Sequence, residues 1–180
     1  MSRIGLFFSS STGNTRRIAK AIKKRFDDDT MADALNVNKA TPELVIGYTH
    51  LIFGTSTLGG GQLPGLSTDC MGGGWEEFLP RLEDVDFTGK TVALFGLGNQ
   101  DKYPDEFVDA LGEIYRFVVA RGANVVGQWP ADNYDFITSK ALVNDEFVGL
   151  VLDQENQKAL TDERVDEWLK SIKSDFELPN

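Results

Sequence analysis

Cysteine and histidine are nearly absent: Cys70 and His50 are the only ones among 180 residues. A lone thiol cannot close an internal disulfide, so a packed core must hold the chain, as suits a reducing cytoplasm. Neither residue has a second Cys or His near it in sequence, and no metal site is expected. Long apolar runs are missing too. None approaches the roughly 20 residues that span a bilayer, and the stretch at residues 4–8 is too short for a signal peptide. No membrane association is expected. Positive charge is in deficit, with 18 Lys and Arg against 28 Asp and Glu and a formal net charge of −10. Such a surface serves solubility, repels nucleic acid and anionic lipid, and favours encounter with proteins bearing basic patches. Repeats, low-complexity tracts and linkers are also lacking. The chain therefore reads as one domain, with 41% hydrophobic residues to build its core.

What is present is alternation. The apolar run Ile4-Gly-Leu-Phe-Phe8 stops at a polar stretch, after which Ile18, Ile22 and Phe26 recur on one helical stripe. A second strand is expected near residues 34–37, and Thr41-Pro42-Glu43 starts a helix with Pro at its first position. Residues 50–53, 91–95 and 124–129 read as further strands. Residues 147–152 read as a continuation of the fifth after an excursion. Helices are expected over residues 75–82 and along Phe107, Leu111, Ile114, Tyr115 and Val118, where Gly122 is placed for a left-handed cap. Thr161 should cap the last helix, with Val165, Trp168, Leu169 and Ile172 inward. Short apolar strands alternating with amphipathic helices predict an α/β fold, a three-layer doubly wound sandwich around a five-stranded parallel sheet.

In such sheets ligands bind beyond the carboxyl ends of the strands. Three loops of unusual composition should meet there. Ser10-Ser-Thr-Gly-Asn-Thr15 lies between a strand and a helix N-terminus, where hydroxyls, free N–H groups and the helix dipole favour an anion such as phosphate. One hydroxyl would suffice for a cap; six small polar residues exceed that need. The lysine of a nucleoside-triphosphate loop is missing, and Gly96-Leu-Gly98 begins a dinucleotide fingerprint without completing it. The second loop, residues 55–65, contains Gly59-Gly60-Gly61, which lets backbone approach a flat ligand. The third, residues 96–103, sets Tyr103 among small residues, where it could stack on an aromatic ring.

The motif [Ser/Thr]-x-[Ser/Thr]-Gly-x-Thr after the first strand, with the other two loops at these spacings, resembles flavodoxins from Ile4 to the last helix. The resemblance implies a single flavodoxin-like domain over residues 1–180, with sheet order 2-1-3-4-5 and an insertion in the fifth strand. It implies one non-covalent FMN and a monomeric, low-potential one-electron carrier between redox proteins, with no catalytic residue of its own. In that reading Ser10, Ser11, Thr12, Gly13, Asn14 and Thr15 wrap the phosphate. Leu58 and Tyr103 face the two sides of the isoalloxazine, Gly59, Gly60 and Gly61 pass its N5 edge, and Asn99 meets its pyrimidine edge. Thr57, Leu97 and Gly98 complete the set. A peptide flip between Gly59 and Gly60 would accompany reduction.

The excursion between Trp129 and Phe147 resembles that of long-chain flavodoxins. Residues 66–80 and 89–98 are similar to flavodoxins that serve nitrogenase. Nitrogenase reductase is thus the first partner implied, with pyruvate or ferredoxin-type oxidoreductases as others, each through a basic docking patch. Gln62 and Asn99 stand where acids are common in the family, which lightens negative charge near the ring. His50 and Cys70 read as structural, and Glu76, Glu77, Asp101, Asp105 and Glu106 as solvated helix starts that could steer a basic partner. An FMN-dependent NAD(P)H–quinone reductase is the alternative on the same fold. A phosphorylated receiver domain is excluded, since it needs acids after the first strand where Ser9 and Ser10 stand.

Overall fold

The computed structural model describes residues 2–180. Its first strand, β1 (Ile4–Ser9), is buried throughout, and α1 (Asn14–Lys23) lays Ile18, Ala19 and Ile22 against the sheet. Then follow β2 (Leu35–Asn36), α2 (Pro42–Ile46), β3 (His50–Ser56), α3 (Trp75–Arg81), β4 (Thr91–Leu97), α4 (Asp109–Ala120) and β5 (Asn124–Val126). The strands are parallel in the order β2-β1-β3-β4-β5, as expected. Thr41 Oγ1 accepts from Leu44 N at the start of α2, with Pro42 at the first position.

Both faces of the sheet are apolar because helices cover both. Ile4, Leu6, Phe8, Ile52, Ala93 and Phe95 point to the layer of α1 and the last helix, α5 (Thr161–Ser171), where Trp168 is fully buried. Phe7, Leu51, Phe53, Val92 and Leu94, one residue out of step, point to the layer containing Trp75, Phe78 and Leu111. The indole N–H of Trp75 donates to Gly54 O at 2.9 Å, so its one polar atom is satisfied in the core. Truncating such a buried ring costs about 3–5 kcal/mol. None of the described helices is long and apolar enough to cross a membrane.

The fifth strand is split. β5 pairs with Thr91–Ala93 of β4, and β9 (Leu150–Leu152) pairs parallel with the carboxyl half, Phe95 to Leu97. Between them runs the insertion, with β6 (Trp129–Pro130), β7 (Leu142–Val143) and β8 (Glu146–Phe147) in an antiparallel sheet of order β6-β8-β7. The sequence expectation therefore placed the interruption correctly and its edges wrongly. Gly127, at φ +85°, turns the chain out before Trp129 can join the main sheet. Phe147 packs with Phe107, Tyr134 and Phe136 rather than beginning the return strand. Thr161 is also corrected: it is the first helical residue of α5, and its Oγ1 accepts from Gln154 Nε2 at 2.6 Å instead of capping. Gly122 takes up its cap at φ +93°.

Candidate functional site

At the carboxyl ends of β1, β3, β4 and β9, four loops enclose a cleft of about 530 Å3. Ser11, Thr12 and Asn14 line one end. Behind them, Ser10 Oγ accepts from Gly13 N at 2.9 Å, and Gly13 adopts φ +90°, a turn most side chains resist. No side chain caps α1 and no acid occupies its first turn. The N–H groups of Asn14 and Thr15 thus lack a partner within the helix, and the positive end of the dipole faces the cleft. Arg17 Nη1 donates to Asn14 Oδ1 at 2.7 Å, which commits the oxygen and leaves the Asn14 amide NH2 available. The chemistry at this end seeks an anion.

The other end is flatter and more apolar. Thr57, Leu58, Gly59, Leu97, Gly98, Asn99 and Tyr103 contribute to its walls. Leu58 opens a tight turn closed by Leu58 N to Gln62 O (2.9 Å) and Gly61 N to Leu58 O (3.0 Å). Gly60 and Gly61 take φ +79° and +77°, which the turn requires. Thr57 is tied at both ends: its N donates to Leu97 O, and its Oγ1 accepts from Ala110 N at the start of α4. In the third loop, Asn99 Oδ1 accepts from Lys102 N at 3.0 Å and Asn156 Nδ2 at 2.9 Å. A backbone N–H can only donate, so the acceptor is the oxygen and the Asn99 NH2 remains free. Tyr103 is half-buried, with Lys102 Nζ 5.3 Å from its ring centroid.

The structure brings most of the expected residues to one cleft. Ser10, Gly13, Thr15, Gly60 and Gly61 do not line it. Ser10 and Gly13 shape the turn behind it, Thr15 is buried in the first turn of α1, and the two glycines shape the Leu58 turn. Lining residues outside the expected set are Ser56, Lys102, Gln154 and Glu155. Gln154 and Glu155 follow β9, so the carboxyl-end rule would have found them had it been applied to the return strand. Ser56 Oγ is buried without a hydrogen-bond partner, an orphan in the cleft wall that a ligand could satisfy.

Several neighbours have more definite roles than their sequence suggests. Glu77 accepts from Gly74 N and Leu66 N, and Glu76 from Ser67 Oγ and N, so both acids staple the loop after β3. The Ser67 hydroxyl and backbone bonds hold the Glu76 carboxyl below its usual range. Cys70 is buried, with Sγ 3.6 Å from Ser10 O and 3.5 Å from Gly73 O. His50 lies at the opposite end of the sheet, against Phe176 and Thr49.

Sequence and structure comparisons bear on the fold and the family. The flavodoxin family model matches residues 6–168. A flavodoxin of Enterobacter agglomerans is 51% identical over 175 residues, covering 96% of this chain and 98% of that protein. One from Klebsiella pneumoniae is 48% identical over 174 residues, with the same coverage. Among solved structures, Fusobacterium nucleatum flavodoxin bound to flavin mononucleotide has a TM-score of 0.87 at 33% identity, covering 98% of this chain and 99% of that one. This chain belongs to the flavodoxin family.

Proposed function

We propose that the cleft holds one FMN non-covalently and that the chain is a low-potential one-electron carrier between redox proteins in a reducing cytoplasm. The observation that carries this reading is the polarity of a single cleft. An uncapped helix N-terminus with hydroxyls stands at one end, and walls from Leu58, Leu97 and Tyr103 stand at the other. Ser11, Thr12 and Asn14 would receive the phosphate, with Ser10 and Gly13 shaping their turn and Thr15 buried in the first turn of α1. Leu58 and Tyr103 would flank the ring, Gly59 would pass its edge, and the free amide of Asn99 would meet it.

Bound FMN supplies the electron chemistry. The chain's own part is to hold the ring, exclude water and set the local charge. Within the lining Lys102 offsets the acid Glu155, so the apolar walls and a net charge of −10 are what disfavour extra negative charge at the site and lower the potential. Family membership supports a carrier over the NAD(P)H–quinone reductase alternative. The acids Asp101, Asp105 and Glu106, close in sequence to Tyr103, suit a partner with a basic docking patch. Nitrogenase reductase is the partner we propose first, then pyruvate or ferredoxin-type oxidoreductases, each meeting a monomer of this chain.

Titrating apo-protein with FMN tests the core of the reading. Stoichiometric quenching of flavin fluorescence is expected; free-flavin fluorescence at one equivalent would overturn it. Steady-state turnover of NADPH with a quinone would favour the reductase instead. Electron delivery to nitrogenase reductase should slow with rising salt, as steering by opposite charges requires.

A further inference from the structure

We propose that Gln100 is a positioning residue for the ring wall, transferring the rigidity of the insertion to Tyr103. The proposal rests on FMN occupying the cleft as described above. Gln100 is 4% exposed, does not line the cleft and stands three residues before Tyr103. Its N and Nε2 both donate to Asp153 Oδ2, at 3.0 and 2.8 Å, and its Oε1 accepts from Asp135 N at 2.7 Å. One side chain therefore joins the loop after β4, the loop after β9 and the insertion.

Each partner is itself fixed. Asp153 is 1% exposed, and its carboxylate also receives Glu155 N, Asn156 N and Asn156 Nδ2, at 3.1, 3.0 and 2.8 Å. Asn156 Nδ2 in turn reaches Asn99 Oδ1, beside the cleft. The insertion grips the same loop again beyond Tyr103. Ile137 N and Thr138 N donate to Pro104 O at 2.8 and 3.1 Å, and Thr138 Oγ1 donates to Asp105 O at 2.6 Å. Tyr103 lies between these two grips. The insertion is itself anchored on α4: Lys140 N donates to Asp109 Oδ1 at 2.8 Å, and a Cβ on Gly112 would fall 2.3 Å from Lys140 O. Tyr134 and Phe136 also pack on Phe107, two residues before α4, with ring centroids 5.9 and 5.4 Å apart.

A ring wall on a loop is only as precise as its supports, and a half-satisfied buried network loses that precision. Replacing Gln100 by an apolar residue of similar length would leave Asp135 N without its partner and take the Nε2 donor from Asp153 Oδ2, cutting the link between the insertion and the loop after β9. The loop could then relax while the phosphate end stays intact. Loss at Gln100 should weaken ligands with and without a phosphate by the same factor, because only the ring side is disturbed.

The test uses full-length Gln100→Met with FMN and with riboflavin, read by fluorescence quenching and by the visible circular dichroism of the bound flavin. We expect roughly tenfold weaker binding of both ligands, incomplete quenching and an altered dichroic band. Val45→Ala, in the core of α2, serves as a variant of reduced thermal stability with an untouched cleft. Wild-type protein that leaves FMN unquenched would defeat the functional reading itself. Wild type that binds, with Gln100→Met behaving like wild type or like Val45→Ala, would overturn the proposal alone. Should Gln100→Met not fold, amide hydrogen exchange on the wild type decides. FMN should slow exchange at Asp135, while Val148, whose amide donates to Ala141 O within the insertion, serves as reference. No slowing at Asp135 beyond that of Val148 would overturn it.

Discussion

The anion-seeking end of the cleft comes from one continuous segment, Ser11 to Asn14, whereas the ring-facing end gathers residues near 56–59, 97–103 and 154–155. The first end is fixed by local backbone: a left-handed Gly13, the Ser10 hydroxyl on its N–H, and the first turn of α1. The second depends on contacts between distant segments, Thr57 to Ala110, Asn99 to Asn156 and Gln100 to Asp153 and Asp135. Local geometry tolerates change elsewhere in the protein. A wall assembled from distant loops inherits every disturbance of its supports. The two ends should therefore respond to different perturbations.

The sharpest separation uses the ligand rather than the protein. Riboflavin lacks the phosphate, so it tests the ring end alone. Several charge-assisted bonds at about 1.5 kcal/mol each make FMN roughly a thousandfold tighter than riboflavin. Equal affinities by fluorescence titration would mean the α1 end takes no part. Tyr103→Ala removes one wall, at about 1–3 kcal/mol for an aromatic stack, so both ligands should weaken by the same ten- to hundredfold. A loss confined to FMN would place Tyr103 at the wrong end.

The contrast also explains what was legible in the sequence. The order of strands and helices, the hydroxyl-rich turn and the three loops followed from periodicity and local composition. The split of the fifth strand was visible as an excursion, but its edges were not. Gly127 in a left-handed turn and Phe147 in an aromatic cluster are settled by tertiary contacts. Gln154 and Glu155 went unnoticed because polar residues after a strand look like any loop. Gln100 and Asp153 carried no signal at all, since a buried polar pair is defined only once distant segments meet.

Alkaline pH offers a way to weaken the packing of the insertion that supports the ring end. Tyr134 donates to Val151 O and accepts from Trp129 Nε1, and its burial pushes its pKa up to about 12 from 10.0. The folded state therefore holds this proton more tightly than the unfolded one. The resulting stability, about 2–3 kcal/mol, is whole below pH 10 and lost as pH rises through about 12. Denaturant midpoints should fall across that window and fall less in Tyr134→Phe. An identical slope in both proteins would remove Tyr134 from the account. Gly60→Val acts on the ring edge instead. At φ +79° a branched side chain costs about 1–3 kcal/mol, so the turn must shift and change the gap between the two one-electron potentials. An unchanged gap in a redox titration would show that this turn does not follow the flavin's charge.

The smallest effect probes charge rather than shape. Gln62 is exposed, does not line the cleft, and its backbone carbonyl accepts from Leu58 N, so its side chain is not needed to close the Leu58 turn. Gln62→Glu leaves the turn intact and adds one negative charge. Adding electrons to a site already inside a net charge of −10 then becomes harder, and the potential should drop by on the order of 10–30 mV. Screening sets the sign of a second observation. At about 0.1 M salt the Debye length is near 10 Å, so the drop should grow in dilute buffer and shrink in concentrated salt. A shift that is insensitive to salt would arise from an altered Leu58 turn. That result would return the effect to the distant-contact side of the comparison.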